Sequence, residues 1–133
     1  MKNILVLEDS DLRIDWLKQV VANRANVLWA QNIQQFILLW GDAGKIDLFI
    51  LDHDLGEFDN AGYTSAKGGE NGMQAVPLIP FGSRVFVWSA NIIKAKDMTD
   101  ALLDRGCATM RVPFLNQNKA YIAQWINDFL SEE

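Results

Sequence analysis

Short apolar runs alternate along the chain with longer segments in which apolar residues recur every three or four positions. The apolar runs predict buried parallel strands, and the amphipathic segments between them predict crossover helices. The predicted strands are residues 4–7, 26–30, 47–52, 84–88 and 107–112, and helices are predicted to begin near residues 10, 32, 71, 91 and 119. This alternation predicts an α/β fold with one doubly wound, five-stranded parallel sheet and helices on both faces.

Individual residues indicate where some of these helices begin and end. Ser10 or Asp11 can cap the first helix, since short polar side chains accept hydrogen bonds from the free N–H groups of the first turn. The apolar face of that helix is predicted to contain Leu12, Trp16, Leu17, Val20 and Val21. The helix that starts near Asn71 is expected to break at Pro77 or Pro80, because proline has no N–H to donate.

The third predicted strand ends in the most informative polar residues of the sequence. Its apolar run, 48–51, stops abruptly at Asp52-His53-Asp54, and no helix obviously begins there. A run without alternation is typical of a strand buried on both faces, and open α/β sheets bind ligands at the carboxyl ends of such strands. Two carboxylates held together repel each other unless a cation, a proton or a basic partner lies between them, and a hard divalent ion is the simplest partner to expect.

Two other predicted strands also end in polar residues. Glu8 and Asp9 follow the first strand, and Ser89-Ala90-Asn91 follows the fourth. If the strand order is 2-1-3-4-5, as in flavodoxin-like folds, these residues converge with Asp52 at one edge of the sheet. The sequence therefore predicts an acidic pocket at that edge.

Each of these residues also has a purely structural alternative. Glu8 and Asp9 could cap the following helix, and Asn91 could cap the fourth helix. Asp54 could cap the turn at 56, and His53 could be a solvated turn residue, because adjacent strand positions point to opposite faces. Arg13 could pair with Asp9 or Asp15 on the helix surface.

Composition narrows the classes of partner and location. The net charge of −5 and the pI near 4.8 argue against a docking surface for a nucleic-acid backbone, although a nucleotide or an RNA end could still enter a pocket. No stretch reaches the ~18 apolar residues of a membrane span. The start of the chain lacks the apolar region of a signal peptide, and Cys107 stands alone, so we expect a soluble, cytoplasmic protein with Cys107 buried.

The spacing of the polar strand ends resembles the receiver domains of two-component response regulators. In that family, the acid pair and the aspartate after the third strand hold Mg²⁺, and that aspartate accepts a phosphoryl group. The resemblance assigns the acid pair to Glu8-Asp9 and the acceptor to Asp52, with a backbone oxygen of Asp54 as a further metal ligand and Ser89 as the hydroxyl near the phosphoryl group. One position departs: receivers carry a lysine before the proline that follows strand five, and this chain has Val112.

A more specific resemblance is to the receiver-like family named for a proposed cyclic-phosphate-processing activity. The similar segments are the acid pair with Arg13, the run Asp52-His53-Asp54-Leu55-Gly56, Asn71-Gly72, and Ser89-Ala90-Asn91 with Met98. Trp88 stands where that family tends to have a histidine. The resemblance covers nearly the whole chain and implies a single receiver-like domain over residues 1–133.

The leading hypothesis from these patterns is a metal-dependent site that acts on phosphate esters, including cyclic phosphates. Mg²⁺ or another divalent ion is expected at Glu8, Asp9, Asp52 and Asp54, with Asp52 as ligand or nucleophile. His53 is the expected general acid or base, since its unperturbed pKa lies near neutrality. The remaining expected catalytic residues are Ser89 and Asn91, as donors to phosphate oxygens, and Arg13, as a charge clamp. The long segment 56–69 is expected to close over the substrate.

Two other functions remain open from the sequence. A signalling receiver would accept a phosphoryl group on Asp52 in a phosphorelay, or dock a partner protein without accepting one. A haloacid-dehalogenase-like phosphatase would use the Asp-x-Asp pattern of Asp52 and Asp54, but that motif continues with threonine or valine where this chain has Gly56.

Overall fold

The computed structural model describes residues 1–55 and 70–132. The strands are β1 (Lys2–Leu7), β2 (Ala25–Ala30), β3 (Leu48–Leu51), β4 (Arg84–Val87) and β5 (Ala108–Arg111). The α-helices are α1 (Asp11–Val21), α2 (Ile33–Ala43), α3 (Ile92–Asp104) and α4 (Lys119–Ser131), and two 3-10 helices span Gly72–Leu78 and Asn116–Asn118. The segment 56–69, predicted as a long loop, lies outside the described residues.

All five strands pair in parallel, in the order β2-β1-β3-β4-β5. The fold class is therefore confirmed as α/β with the flavodoxin-like strand order. β3 lies at the centre of the sheet, and its four residues are all buried. This burial explains the uninterrupted apolar run in the sequence, because helices cover both faces of the strand.

The two faces of the sheet carry separate apolar cores. Along β1, Leu5 and Leu7 point into one core and Ile4 and Val6 into the other, as the alternation of strand side chains requires. The first core is covered by α2, the 3-10 helix at 72–78 and α3, and the second by α1 and α4. Helices therefore lie on both faces, as predicted.

The helix after Asn71 begins where expected, and one residue expected on the apolar face of α1 is misplaced. That helix is a 3-10 helix, Gly72–Leu78, which contains Pro77 and ends before Pro80, and the N–H of Ile79 bonds to the carbonyl of Val76 at 3.2 Å. Leu12 does not join the apolar face of α1, since its side chain is 82% exposed. The buried residues of α1 are Ile14, Leu17 and Val21.

Helix capping follows the sequence closely. Ser10 accepts from Arg13 N–H, Asn32 from Gln35 N–H and Asn91 from Lys94 N–H, as expected for short polar residues at N-caps. Among residues 1–55 and 70–132, no helix is both long and apolar enough to cross a membrane.

Candidate metal and phosphate site

The parallel pairing of β1 with β3 brings two acidic residues together. Leu7 of β1 pairs with Leu51 of β3, so the next residues, Glu8 and Asp52, leave the sheet side by side. The backbone N–H of Asp52 still donates to the Leu7 carbonyl at 2.9 Å. The register of the sheet therefore fixes the approach of these two carboxyl groups.

Glu8, Asp9 and Asp52 form the acidic cluster that the sequence predicted at this edge. Each residue offers a carboxylate oxygen, and these oxygens lie within 4.8 Å of one another. Glu8 is 1% exposed and Asp52 is 4% exposed, whereas Asp9 is half-buried. A set of oxygen ligands at this separation fits a hard divalent cation such as Mg²⁺.

Arg13 extends from α1 into this cluster and supplies its positive charge. Its Nη1 atom lies 3.1 Å from Glu8 Oε1 and 3.7 Å from Asp52 Oδ2. Nη1 therefore contacts the two buried acids of the cluster. The guanidinium lies over two carboxylates and not on the helix surface.

Two indole groups fix the orientation of Glu8. Trp88 Nε1 donates to Glu8 Oε1 at 2.9 Å, and Trp29 Nε1 donates to the Glu8 carbonyl at 2.6 Å. The backbone N–H groups of Asp9 and Ser10 donate to the other carboxylate oxygen, Oε2, at 3.0 and 3.1 Å. Trp88 thus adds a hydrogen-bond donor to the site even though it removes the histidine expected from the resemblance.

Burial strongly affects the charge of both central acids. It raises the pKa of Glu8 to about 8, and the negative charge of Asp52 adds to the rise, while Arg13 opposes it. Burial also raises the pKa of Asp52, against the lowering effects of Arg13 and of hydrogen bonds with Ser89 and Glu8. The charged forms of two buried, neighbouring acids are unfavourable, and a bound divalent cation would stabilise them.

Ser89 and Asn91 extend the site from the end of β4. Ser89 is 1% exposed, lies within hydrogen-bonding reach of Asp52, and accepts from the backbone N–H of Asn91 at 3.1 Å. Asn91 caps α3 and also places its Nδ2 atom 3.4 and 3.5 Å from the two Asp54 carboxylate oxygens. The capping role and the site contact therefore coexist in one residue.

His53 and Asp54 form a second pair beside the cluster. His53 Nδ1 lies 2.7 Å from Asp54 Oδ1, and the His53 side chain is only 11% exposed. The alternative of a solvated turn histidine is therefore wrong. The Asp54 side chain points to His53 and Asn91, so its carboxylate orients the imidazole, a role that the sequence did not predict.

Gly72 holds the segment that carries Asp52 and His53. Its N–H donates to the His53 carbonyl at 2.7 Å, and a Cβ atom at this position would lie 1.9 Å from the Asp52 carbonyl oxygen. Any larger residue would displace the backbone of the site. The close approach to the Asp52 carbonyl therefore explains why position 72 is a glycine.

The sequence profile of the cyclic-phosphate processing receiver domain family matches residues 4–104, which include all the residues of the site. The chain belongs to this family. No curated protein matches it.

Solved structures that resemble this cyclic-phosphate processing receiver are response-regulator domains. The response regulator domain of Thermotoga maritima CheB is similar with a TM-score of 0.67 and 16% identity, over 100% of this chain and 98% of that one. The Mn²⁺-bound response regulator Rcp1 gives 0.65 and 15%, over 99% and 96%. The CheX–CheY–BeF₃–Mg²⁺ complex of Borrelia burgdorferi gives 0.64 and 19%, over 98% and 90%. At these identities the likeness establishes the fold alone.

This receiver differs from the signalling pattern at the end of β5. Val112, at the position of the expected lysine, packs against the apolar core that α1 and α4 cover. Arg111 beside it is exposed. The cation nearest the acidic cluster among the described residues is Arg13 from α1, so the positive charge reaches the site from a different element.

Sequence reasoning missed the tryptophan contacts of this receiver site. A tryptophan at a buried strand end needs a partner for its indole N–H, and Trp88 directly precedes Ser89. That signal could have indicated a polar partner at the sheet edge, but it does not identify Glu8. The contact of Trp29 from the neighbouring β2 leaves no comparable signal in the sequence.

Proposed function

We propose that this chain is a metal-dependent receiver-like domain over residues 1–133 that acts on phosphate esters, including cyclic phosphates. The observation that carries the proposal is the cluster of Glu8, Asp9 and Asp52, whose two central acids are almost fully desolvated beside Arg13. Burying several acids together lowers the stability of the folded protein, and acids with strongly shifted pKa values are common at functional sites. The proposed ligands are phosphorylated small molecules, nucleotides or RNA ends.

The proposed metal ligands are Glu8, Asp9, Asp52 and a backbone oxygen of Asp54, and the proposed metal is Mg²⁺ or another divalent ion. Three oxygen ligands within 4.8 Å support this choice, and the Mn²⁺ bound to the similar Rcp1 is consistent with it. When bound, such an ion neutralises phosphate oxygens and lowers the pKa of a water molecule. Binding of the metal ion must also displace Arg13 from Glu8 or leave both cations in contact with its carboxylate, since Arg13 Nη1 now contacts Glu8.

The other residues of the site have separate proposed roles. Arg13 pairs with the charge of the phosphate, and Ser89 and Asn91 donate to its oxygens. His53 transfers the proton to or from the leaving oxygen, and its pairing with Asp54 at 2.7 Å supports this role by fixing the ring. Asp52 serves as ligand or as nucleophile.

The direct test is a ³¹P spectrum of the protein with Mg²⁺ and a mixture of 2′,3′-cyclic nucleotides, with Asp52→Asn as control. Catalytic appearance of a monoester that the variant does not form would support the proposal and identify the bond that is cleaved. Absence of turnover by a protein that binds Mg²⁺ would overturn the esterase activity and leave a binding domain.

A second function is favoured by one observation: Ser89, which is buried like Asp52, lies close enough to it to lower the pKa of its carboxyl. This pair corresponds to the acceptor and the hydroxyl of a signalling receiver, and the similar CheY was solved with BeF₃ and in complex with CheX. The second proposal is therefore a phosphoacceptor that docks a partner protein. Incubation with acetyl phosphate and Mg²⁺, followed by mass spectrometry, should then show one phosphoryl group on the wild type and none on Asp52→Asn.

A further inference from the structure

Phe114 lies next to the site without being one of its polar residues. It follows β5 by three positions, and its backbone N–H donates to the Trp88 carbonyl at 2.8 Å. Its ring makes edge contacts with Trp16 and Trp88, with centroid distances of 5.1 and 5.0 Å and interplanar angles of 86° and 73°. The two indoles therefore fix the orientation of the Phe114 ring.

Arg13 lies over this ring. Its Cζ atom is 5.0 Å from the ring centroid of Phe114, within the range of a cation–π interaction. The same guanidinium holds Glu8 Oε1 at 3.1 Å and lies 3.7 Å from Asp52 Oδ2. An arginine side chain loses much rotamer freedom when it is fixed, and stacking on a rigid aromatic ring offsets part of that loss.

The segment after β5 thus contributes an aromatic ring to the site, where the resemblance to receivers predicted a lysine. Val112 packs into the apolar core, and the ring two residues later faces the guanidinium instead. Lys119 is the other cation at this ring, with Nζ 5.6 Å from the centroid.

We infer that Phe114 is a positioning residue that fixes the Arg13 guanidinium over Glu8 and Asp52, where it pairs with the phosphate of the substrate. This inference rests on the proposed function for the phosphate, but the contact itself exists without any ligand. Phe114 acts through Arg13, so its removal has no effect once Arg13 is gone. The aromatic rings of Trp16, Trp88 and Phe114 and the guanidinium of Arg13 therefore act together.

The first test follows Arg13 in the metal-free protein by ¹⁵N NMR. The Arg13 Nε–H signal, assigned by its loss in Arg13→Lys, is expected to be resolved and rigid in the wild type. Phe114→Leu should make it mobile, and Phe114→Trp should restore it, because another aromatic ring restores the stacking. An Arg13 signal that is unchanged in Phe114→Leu would overturn the inference.

The second test is a double-mutant cycle on the affinity for inorganic phosphate in saturating Mg²⁺. Phe114→Leu should weaken binding roughly 3- to 10-fold, as expected for one cation–π contact, and should add nothing in the Arg13→Gln background. Additive effects would overturn the inference. If the wild type binds no phosphate, the proposed function fails, and the NMR experiment still decides the role of Phe114.

Phe129 offers a matched control at the opposite end of the sheet. Its ring also faces two cations, with Lys2 Nζ at 4.6 Å and Arg84 Cζ at 5.5 Å, whereas the group of acids that could hold a metal among residues 1–55 and 70–132 lies at Glu8, Asp9 and Asp52. Phe129→Leu loses the same kind of contact and is expected to leave phosphate affinity and the Arg13 signal unchanged. A decrease equal to that of Phe114→Leu would assign the effect to general loosening and overturn the inference.

Discussion

Arg13 and Arg84 form the same kind of ion pair at opposite ends of the sheet. Arg13 Nη1 lies 3.1 Å from Glu8, and Arg84 Nη1 lies 2.7 Å from Glu132. The shorter contact is the less informative one, because the Glu132 side chain is 52% exposed and that of Glu8 only 1%. Water already solvates the exposed pair, whereas the buried acid depends on its neighbours for every favourable interaction.

The comparison shows that desolvation of the acid, and not the length of the ion pair, distinguishes the candidate site. Both arginines also lie over a phenylalanine, so an aromatic partner does not separate the two ends either. What differs is the second buried acid, Asp52, near the first one. Each substitution at the carboxyl end of the sheet therefore has a matched control at the opposite end.

The largest effect is expected from Gly72→Ala. The added Cβ would lie 1.9 Å from the Asp52 carbonyl oxygen, which is backbone and cannot move aside without displacing the site. We expect a loss of about 3 kcal/mol in the free energy of unfolding, as for severe overpacking. Urea denaturation measures this loss, and the metal affinity of the folded fraction should also decrease.

Gly41→Ala is the matched control for that change. Gly41 lies inside α2, and no atom lies within 4 Å of a Cβ placed there. The substitution should stabilise the protein by up to about 1 kcal/mol, since alanine is the better helix former. Similar losses for both variants would mean that the carboxyl end is no more tightly constrained than the opposite end.

The next largest effect is expected from Asp52→Asn, compared with Asp47→Asn at the other end of the same strand. Loss of a proposed ligand should reduce divalent-metal affinity by more than the roughly 10- to 100-fold that changes behind the ligands cost. Asp47 accepts from the Asn3 backbone N–H at 2.8 Å and lies outside the cluster, so its variant should bind metal normally. Isothermal titration with Mg²⁺ or Mn²⁺ measures both affinities.

The free energy of unfolding gives Asp52→Asn a second readout. Burial raises the pKa of Asp52, so the charged form is unfavourable in the folded, metal-free protein. Asparagine removes that charge with little change in shape, and the metal-free variant should be at least as stable as the wild type. A clear loss of stability together with normal metal binding would make Asp52 a structural residue.

The sequence was sufficient for the fold because the relevant signals are local. Buried strands appear as apolar runs and helix starts appear as short polar residues, so the five strands and N-caps such as Asn91 agree with prediction. The strand order was expected by analogy with flavodoxin-like folds and is also observed. The 3-10 helix was less predictable, since Pro77 removes a donor but does not by itself select the tighter helix. Leu12 was misplaced because apolar character alone does not decide burial.

The site was predictable only to the level of strand ends. Parallel strands bring their carboxyl ends together, so the approach of Glu8 and Asp52 followed from the strand order. The contacts of Arg13 and Trp88 depend on rotamers and on packing between distant segments, which leave no periodic signal. The lysine missing at Val112 was visible in the sequence, but the ring of Phe114 beneath Arg13 was not.

The dependence of stability on pH should separate Glu8 from Glu132. Burial raises the pKa of Glu8 from 4.5 to about 8, so between these values the folded protein retains a proton that the unfolded chain releases. Stability of the metal-free protein should therefore fall as the pH rises from about 4.5 to 8, and Mg²⁺ should offset the fall by favouring the charged form. Thermal denaturation across this pH range measures the slope.

Two conservative variants assign that slope. Glu8→Gln cannot ionise and should flatten the pH dependence in the absence of metal. Glu132→Gln removes an exposed charge and should retain it, because the Glu132 side chain is 52% exposed. An unchanged slope in Glu8→Gln would show that the fall has its origin elsewhere in the chain.

The smallest effect is expected from Arg84→Met, which removes the exposed partner of the comparison while keeping an apolar stem over Phe129. Its ion pair with Glu132 should contribute about 0–1 kcal/mol at low salt and less at high salt, because water and ions screen exposed charges. Metal and phosphate affinities should not change. Arg13→Met should instead weaken phosphate binding and strengthen Mg²⁺ binding, because it removes a cation that contacts Glu8 and competes with the metal ion for its carboxylate. If both variants leave both affinities unchanged, the difference in burial between the two ends has no consequence for ligand binding, and the acidic cluster is a feature of folding alone.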